Sequence, residues 1–386
     1  MGLNSSSIIN TNMKILLVGE ASFLHNTLKK GLQERGHTVV TMSDGNGWHD
    51  APRDIDLRRD RKWGKLGGLK VLWQIARHLP QLVGNDIVQI HNYQFVPLKY
   101  GWNKLLFFFL RLLNKKTVKG CFGDDPQIFA RQKKGVPRYS DTYWNGRPQN
   151  MAENAERIDE VMLHGAYGCW RYTSAKADAL VACLYEYWLC YNVDSFVRKL
   201  HYLPLPMILP QNGTEGARRK KNGGVVKILV GIQPKRDFMK GAMRMAEWLE
   251  AIKLRHPGRM EIRYVEGVPL EEYKRMLAEA DVLVDQLYSF TPSMNSLQAM
   301  ALGTVVIGGG EEEYYDFIGE KELRPIINVS PELSDAENMA IIEKALFTDG
   351  MIERLSRQSM AFVKKYHDYR KVAEMYEEMY RSSLLI

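Results

Sequence analysis

Apolar and polar positions follow two alternating periods from Met13 onward. Short uninterrupted apolar runs, typical of buried parallel strands, are followed by longer runs with the helical period. In the first half of the chain the pattern predicts strands at residues 14–18, 37–42, 86–91, 117–122 and 179–184. It predicts helices at residues 23–35, 66–83 and 98–114. Strands that alternate with helices indicate a Rossmann-like domain, which we place at residues 13–207.

The alternation stops near the middle of the chain and then restarts. Leu203-Pro204-Leu205-Pro206 ends the first block, and residues 208–224 have the polar, glycine-rich composition of a linker. The predicted strands that follow are residues 226–230, 261–265, 282–287 and 304–307. The predicted helices are residues 240–255, 270–278, 294–302, 332–347, 350–365 and 369–385.

These patterns predict an α/β fold of two Rossmann-like domains that face a central cleft. The second domain is placed at residues 225–368. The C-terminal helix is placed at residues 369–386. Whether this helix crosses back to the first domain is left open. Residues 1–12 lack the basic start and apolar core of a signal peptide, so we expect a disordered extension.

The net charge of +8 is concentrated in the first domain. Residues 1–120 have 18 Lys and Arg against 8 Asp and Glu, whereas residues 221–386 have 22 against 26. A basic domain suits nucleic acid, a phosphorylated acceptor or an acidic membrane surface. Because no nucleic-acid-binding motif accompanies the charge, we expect no nucleic acid partner. The four cysteines form no CxxC pair, so we expect no zinc site, no disulfides and a cytoplasmic location.

One apolar run with basic edges leaves two interpretations open. Residues 105–110 read LLFFFL and are flanked by lysines on both sides. These are Lys99, Lys104, Lys115, Lys116 and Lys119. No apolar run reaches the roughly 20 residues that span a bilayer. The run is interpreted as a buried helix between solvated lysines, with peripheral contact at an anionic membrane surface as the alternative.

Residues 280–310, ADVLVDQLYSFTPSMNSLQAMALGTVVIGGG, predict a binding site. A buried strand leads into a polar loop and then into the start of a helix. Free backbone N–H groups are therefore expected at the carboxyl end of a parallel strand, where phosphates bind. Cations for such a ligand are expected in GIQPKRDFMKG, where Lys235, Arg236 and Lys240 follow another strand. A solvated turn is the alternative explanation for these three cations.

These segments resemble retaining glycosyltransferases of the GT-B fold, in the large family-four-like group also called glycosyl transferases group 1. The resemblance also includes VGEASFLHNTLKKGLQERGHTV and CFGDDP in the first domain and YLPLPM at the junction. It implies transfer of a sugar from a nucleoside-diphosphate sugar to a glycan, lipid or other cell-envelope acceptor, as in polysaccharide biosynthesis. It further implies retention of the anomeric configuration, no metal or other cofactor, and a cytoplasmic enzyme, with peripheral attachment at the inner membrane face left open.

The resemblance assigns roles to residues of the second domain. Arg236 and Lys240 are expected to stabilise the leaving diphosphate. The expected donor-binding residues are Lys235, Ser293, Met294, Asn295, Gln298 and Glu313. Glu313 belongs to a run of three glutamates that the dipole of the following helix also explains.

The family usually has two glutamates separated by seven residues, and this chain departs from that pattern. The corresponding positions are Phe290 and Gln298. Gln298 keeps an oxygen that can accept a hydrogen bond from a ribose hydroxyl, whereas Phe290 cannot replace a carboxylate. Two other functions therefore stay open. One is a GT-B protein that binds nucleotide sugar or glycan without turnover, and the other is a sugar-nucleotide epimerase.

The first domain is expected to supply the opposite wall of the cleft. The family commonly has a histidine at the end of the equivalent strand, and this chain has none there. Asp124, a polar residue at that strand end, is expected to orient an acceptor hydroxyl, although adjacent Asp residues before proline also favour turns. Ser22 is the expected N-cap of the first helix. The full set of cleft candidates is Gly19, Glu20, Ser22, His25, Asn26, His91, Tyr185 and Glu186. For His91 a structural role is the alternative, and for Tyr185 and Glu186 it is packing between the domains.

Overall fold

The computed structural model describes residues 12–45, 50–149, 151–210, 224–232 and 237–385. The predicted extension at residues 1–12 lies outside these ranges except for Asn12, and so does most of the predicted linker. Lys235 and Arg236, two of the predicted cations, also lie outside the described residues.

A parallel sheet of seven strands forms the centre of the first domain. The strands of this domain are β1 (Lys14–Val18), β2 (Thr38–Ser43), β3 (Ile55–Asp56), β4 (Ile87–Ile90), β5 (Lys116–Cys121), β6 (Tyr143–Trp144), β7 (Arg147–Pro148), β8 (Ala179–Ala182) and β9 (Leu200–Tyr202). The sheet order is β3-β2-β1-β4-β5-β8-β9, and β6 and β7 form a separate antiparallel pair.

Helices cover both faces of this sheet. They are α1 (Leu24–Glu34), α2 (Gly64–Arg77), α3 (Leu79–Leu82), α4 (Tyr100–Leu113), α5 (Pro126–Gln132), α6 (Met151–Met162), α7 (His164–Lys176) and α8 (Tyr185–Tyr191). Successive strand residues point to opposite faces. Leu17 belongs to the same core as Leu28 of α1, whereas Leu16 belongs to the core that contains Val71 of α2 and Phe107 of α4. Helices α2 and α4 therefore lie on the face opposite α1.

The second domain has a parallel sheet of five strands. They are β10 (Val226–Gly231), β11 (Met260–Val265), β12 (Val282–Val284), β13 (Val305–Gly308) and β14 (Ile326–Asn328), in the order β11-β10-β12-β13-β14. The remaining helices are α9 (Asp237–Lys240), α10 (Ala242–Arg255), α11 (Leu270–Glu279), α12 (Met294–Ala301), α13 (Glu312–Ile318), α14 (Asp335–Phe347), α15 (Met351–Tyr366) and α16 (Tyr369–Leu385). The predicted α/β fold with two Rossmann-like sheets is thus confirmed.

The last helix, α16, packs on α1 of the first domain. The hydroxyl of Tyr380 donates to Oε1 of Gln89 at 2.8 Å. Gln89 belongs to β4, which pairs with β1 in the first sheet. The hydroxyl of Tyr369 donates to Glu34 at 2.7 Å. The end of the chain therefore adds to the core of the first domain.

Three differences from the predicted elements have local causes. The helix predicted at residues 66–83 is divided at His78, because Pro80 cannot donate the hydrogen bond that would continue α2. The strand predicted at residues 282–287 ends at Val284, where the chain turns into the cleft. The short strands β3, β6, β7, β9 and β14 escaped prediction because two or three residues show no periodicity.

Candidate functional site

A cavity of about 910 Å³ lies between the two domains. Loops at the carboxyl ends of parallel strands line it from both sides, as expected for ligand sites in open α/β sheets. Among the predicted residues, eight line the cavity. They are Ser22, Asp124, Glu186, Lys240, Ser293, Met294, Asn295 and Gln298.

The loop between β12 and α12 is organised by Asp285, which the sequence analysis did not single out. Asp285 directly follows strand β12 in the sequence, and its side chain is buried. It accepts hydrogen bonds from Ser293 Oγ at 2.7 Å and from Asn295 Nδ2 at 3.2 Å, and also from Ser296 Oγ. The polar side chains of this loop are therefore turned toward Asp285.

The N-terminus of α12 lacks a side-chain cap among the described residues. Ser293 is its N-cap residue, but the hydroxyl donates to Asp285 instead of accepting from the helix backbone. The first N–H groups of a helix have no partner within the helix, and the dipole makes this end positive. Because Ser293, Met294 and Asn295 line the cavity, this end of α12 offers a site for an anion.

Lys240 adds a positive charge to the same cavity. It is the last residue of α9, and its carbonyl accepts from the N–H of Leu287, at 2.8 Å, in the loop after β12. Gly241 follows with φ of +68°, and a Cβ there would lie 3.0 Å from the Leu287 and Tyr288 side chains. Among the lining residues in the described ranges, Lys240 is the sole lysine or arginine.

Asp124 lines the cavity, but its two oxygens are bound by an arginine of α6. Arg157 donates to both of them at 2.7 Å, and it also donates to Asp141 at 2.9 Å. Burial raises the pKa of the Asp141 carboxyl. Arg157 was not predicted, because no motif marks a residue that approaches from another helix.

Glu186 reaches across the cleft from α8 to the second domain. Its carboxylate accepts from Thr291 Oγ1 at 2.7 Å, from Ser289 Oγ at 3.1 Å and from Phe290 N at 3.3 Å. Burial raises the pKa of this carboxyl. A first-domain acid thus holds the loop that leads to α12.

Phe290 is buried at the contact between the domains. Its ring stacks on Tyr139 with centroids 4.5 Å apart, and the Arg138 guanidinium lies 4.8 Å from its centroid. Arg138 also pairs with Glu311 at 2.9 Å, with Glu313 and with Glu332. The carboxylate of Glu313 is thus engaged by Arg138 and is not part of the described cavity lining, and its role in donor binding stays a prediction.

Comparisons with known proteins place this geometry in a known fold. No protein-family model matches the sequence, and no curated protein matches it either. Sucrose-phosphate synthase from Thermosynechococcus elongatus aligns with a TM-score of 0.56 at 13% identity, covering 96% of this chain and 98% of that one. Anabaena HepE in complex with UDP-glucose aligns with a TM-score of 0.53 at 11% identity, covering 96% and 100%. WaaG, a glycosyltransferase involved in lipopolysaccharide biosynthesis, aligns with a TM-score of 0.52 at 12% identity, covering 94% and 98%.

The chain has the GT-B fold. The likeness extends over both sheets, since it covers nearly the whole chain. At these identities it establishes the fold and assigns no residue a role.

The first strand-to-helix loop of this GT-B fold differs from its prediction. Glu20 accepts from the N–H groups of Ala21 at 2.8 Å, His25 at 3.1 Å and Asn26 at 3.0 Å, so Glu20 satisfies the start of α1. The predicted N-cap Ser22 is wrong, because Phe23 holds that position. Burial raises the pKa of Glu20 to about 7.

His25 and its neighbours lie behind the cavity wall. Burial lowers the pKa of His25 to about 3, so the ring is neutral. Its Nδ1 donates to the Gly19 carbonyl at 2.8 Å, and its Nε2 accepts from Gln89 at 3.0 Å. His91 packs so closely that a Cβ on Gly19 would lie 1.9 Å from its Nδ1. Asn26 donates to the Pro52 carbonyl at 3.0 Å.

The predicted cleft positions of these side chains are corrected. Hydrogen bonds within the first domain engage Glu20, His25 and Asn26. The buried Nδ1 of His91 has no hydrogen-bond partner among the described residues. Glu20, His25, Asn26 and His91 are absent from the described cavity lining, as is the backbone of Gly19. The ring centroid of Tyr185 lies 5.1 Å from that of Phe317 and 6.3 Å from that of Phe290. Tyr185 therefore packs between the domains, which is the alternative role considered for it.

Within the described ranges of the chain, no group of three or more His, Cys, Asp or Glu side chains is arranged to hold a metal ion. Over the same part of the chain, no helix combines the length and apolar character needed to cross a bilayer.

Proposed function

We propose that the protein is a glycosyltransferase that transfers a sugar from a nucleoside-diphosphate sugar to a glycan, lipid or other cell-envelope acceptor. The observation that carries the proposal is the open N-terminus of α12, which faces the interdomain cavity beside Lys240. A diphosphate carries negative charge that this helix end and a lysine can both bind. The complex of HepE with UDP-glucose, a protein of the same fold, supports a uridine nucleotide as the first donor to test.

In this proposal the second domain stabilises the leaving group. Negative charge builds on the diphosphate as the bond to the sugar breaks, and preorganised N–H groups of α12 and the Lys240 ammonium meet that charge. Arg236 and Lys235 are proposed to add to it on the strength of the sequence motif. Gln298, which lines the cavity, is proposed to accept from the ribose.

The proposal includes retention of the sugar's configuration without a dedicated general base. The acceptor oxygen attacks on the face that the diphosphate leaves, and its proton passes to a leaving phosphate oxygen. Asp124 suits the role of an anchor for the acceptor, since Arg157 keeps the carboxylate oriented. Glu186 suits a positioning role, because it holds the loop before α12. Independence from metals and a cytoplasmic location are parts of the same proposal.

A second candidate is a protein that binds nucleotide sugar or glycan without turnover. The buried ring of Phe290, stacked on Tyr139, favours it, because an aromatic contact fills a position where related enzymes have a carboxylate. A sugar-nucleotide epimerase is the third possibility and would act on the donor alone.

The first experiment measures binding and turnover of UDP-sugars with the full chain. Lys240→Met should weaken UDP binding about 10- to 100-fold in titration calorimetry, the value of one charge-assisted hydrogen bond. Lys253→Met, on the exposed surface of α10, is the matched control and should bind as the wild type does. Equal affinity of wild type and Lys240→Met would contradict the assignment of the phosphate site.

Turnover then separates the three candidates. UDP release that requires a cell-envelope acceptor supports a transferase, and a changed donor without release supports an epimerase. Binding without either reaction, across a panel of donors and acceptors, supports the binding protein.

A further inference from the structure

Helix α4 has apolar side chains on two faces. Phe107 and Leu110 form the buried apolar stripe that packs in the core under the sheet, beside the buried Asn103. Leu105, Phe109 and Leu112 repeat on the outer face and are 45%, 45% and 66% exposed. The interpretation of residues 105–110 as a buried helix is therefore correct for one face only, which contains Phe107 and Leu110, and wrong for the outer face.

A second helix on the same face of the sheet has the same property. Leu66, Leu69 and Trp73 of α2 are all more than half exposed. Val71 of α2 packs inward in the core that also contains Phe107 of α4. Gly68 of α2 lies against Leu98, which comes just before α4. The outer stripes of α2 and α4 therefore belong to one side of the first domain, which we call the α2–α4 face.

The chain segment that contains α2 and α4 is strongly basic, with Asp60 just before it and Glu160 of α6 near Tyr100 as acids at its edge. Between residues 61 and 123 the chain has eleven Lys and Arg and one acidic residue, Asp86. Asp86 pairs with Lys115 at 2.6 Å, so it adds little free negative charge to the face. The basic side chains that are exposed on or beside the two helices include Lys62, Lys65, Lys70, Arg77, Lys99 and Lys104.

Exposed apolar residues among basic side chains suit the surface of an anionic bilayer. Leucine and phenylalanine enter the acyl boundary, while lysine and arginine reach the lipid phosphates. The exposed Trp63, Trp73 and Trp102 add side chains that favour the membrane–water interface. Nucleic acid would leave the aliphatic stripe without a partner. We propose that the α2–α4 face docks the protein on a bilayer that contains anionic phospholipids.

The topology relates this face to the cavity. Helices α2 and α4 each return the chain from the carboxyl edge of the sheet, so their N-terminal ends lie at the edge that opens into the cavity. A docked molecule would therefore hold the cavity near the lipid headgroups. The inference goes beyond the proposed function and does not depend on it, since docking requires neither donor nor acceptor.

Co-sedimentation of the full chain with vesicles tests the proposal. Phosphatidylcholine vesicles with 30% phosphatidylglycerol, a composition of about one anionic lipid in three, should bind the protein, and pure phosphatidylcholine should bind it much less. Replacing Leu105, Phe109 and Leu112 by Gln should abolish binding. Replacing Lys62, Lys65 and Lys70 by Gln should weaken it about 100-fold, since each cation near such a surface contributes about fivefold.

Matched controls separate docking from misfolding and self-association. Leu254→Gln with Lys364→Gln removes an exposed leucine and an exposed lysine from the second domain and should leave vesicle binding unchanged. UDP binding by each variant, or its thermal unfolding if UDP does not bind, reports whether it is folded. The proposal is overturned if the wild type ignores anionic vesicles or if the folded leucine and phenylalanine variant still binds them. It is also overturned if sedimentation velocity shows a dimer that the same substitutions dissociate, because a second copy would then cover the face.

Discussion

Two loops of this molecule have the same local design and opposite outcomes. Each places a buried acid after a parallel strand and before a helix, Glu20 before α1 and Asp285 before α12. Glu20 accepts from backbone N–H groups at the start of α1. Asp285 accepts from the side chains of Ser293, Asn295 and Ser296.

The difference decides which helix can bind an anion. The carboxylate of Glu20 fills the start of α1, and the neighbouring His25 is buried in the core. At α12 the carboxylate holds the capping hydroxyl of Ser293 away from the backbone, so the N–H groups stay available to a ligand. A polar strand-to-helix loop is therefore a site only when its own side chains leave the helix end open.

The largest effect is expected when Asp285 is removed. Asp285→Ala deletes the acceptor of three side-chain hydrogen bonds in a buried place, which should lower the free energy of unfolding by about 3 kcal/mol in urea titrations. The freed Ser293 hydroxyl can then cap α12, so UDP should also bind more weakly. Glu266→Ala removes an exposed acid from the same cavity and should stay within about 0.5 kcal/mol of wild type. Equal stability of the two variants would remove Asp285 from its organising role.

A smaller effect should follow from deleting one N–H group of α12. Met294→Pro places proline at the first helical position, where it is tolerated, and Ser293 before it is already extended, with ψ of 177°. UDP affinity should fall about tenfold while helix content by circular dichroism is retained. Glu312→Pro makes the same change at the first position of α13, away from the cavity, and should leave affinity unchanged. If both variants bind UDP as tightly as wild type, the backbone of α12 is not part of the site.

A pH-dependent effect on stability is expected at Glu20. Its pKa is raised from 4.5 to about 7 by burial, so between these values the folded state binds more protons than the unfolded state. The contribution of Glu20 to the free energy of unfolding should therefore decrease as pH rises from 4.5 to 7. Glu20→Gln removes this titration. The buried histidines contribute equally to the pH dependence of the wild type and of the variant, so they cancel in the difference between the two. The free energy of unfolding of the wild type minus that of the variant, measured by urea unfolding at each pH, should decline between pH 4.5 and pH 7. A difference that does not change with pH would show that the pKa of Glu20 is not raised.

Much of the fold was accessible from the chain itself. Uninterrupted apolar runs such as residues 15–18 of β1 predicted buried parallel strands correctly, because burial on both faces leaves little choice of residue. The GT-B fold, inferred from motifs around residues 231–241 and 280–310, is confirmed. The loop before α12 also lines the cavity, although its assignment to the donor stays a prediction.

The missed residues share a physical cause. Arg157, Arg138 and Asp285 act through partners that are distant in sequence or through a choice among several donors. His25 of α1 likewise has a distant partner, Gln89 of β4. Local sequence patterns do not reveal such partners, since a polar residue after a strand gives the same pattern whether its side chain faces a cavity or the core.

The sequence by itself determined the two parallel sheets, their order in the chain and the loops where ligands of such sheets bind. The periodicity of burial is a local property, so it survives without tertiary information. Only the tertiary structure decided which polar groups those loops expose. Glu20 and His25 are buried, and Ser293 leaves α12 open. Hydrogen bonds between distant segments select among nearly equal local arrangements, and that selection shaped the cavity.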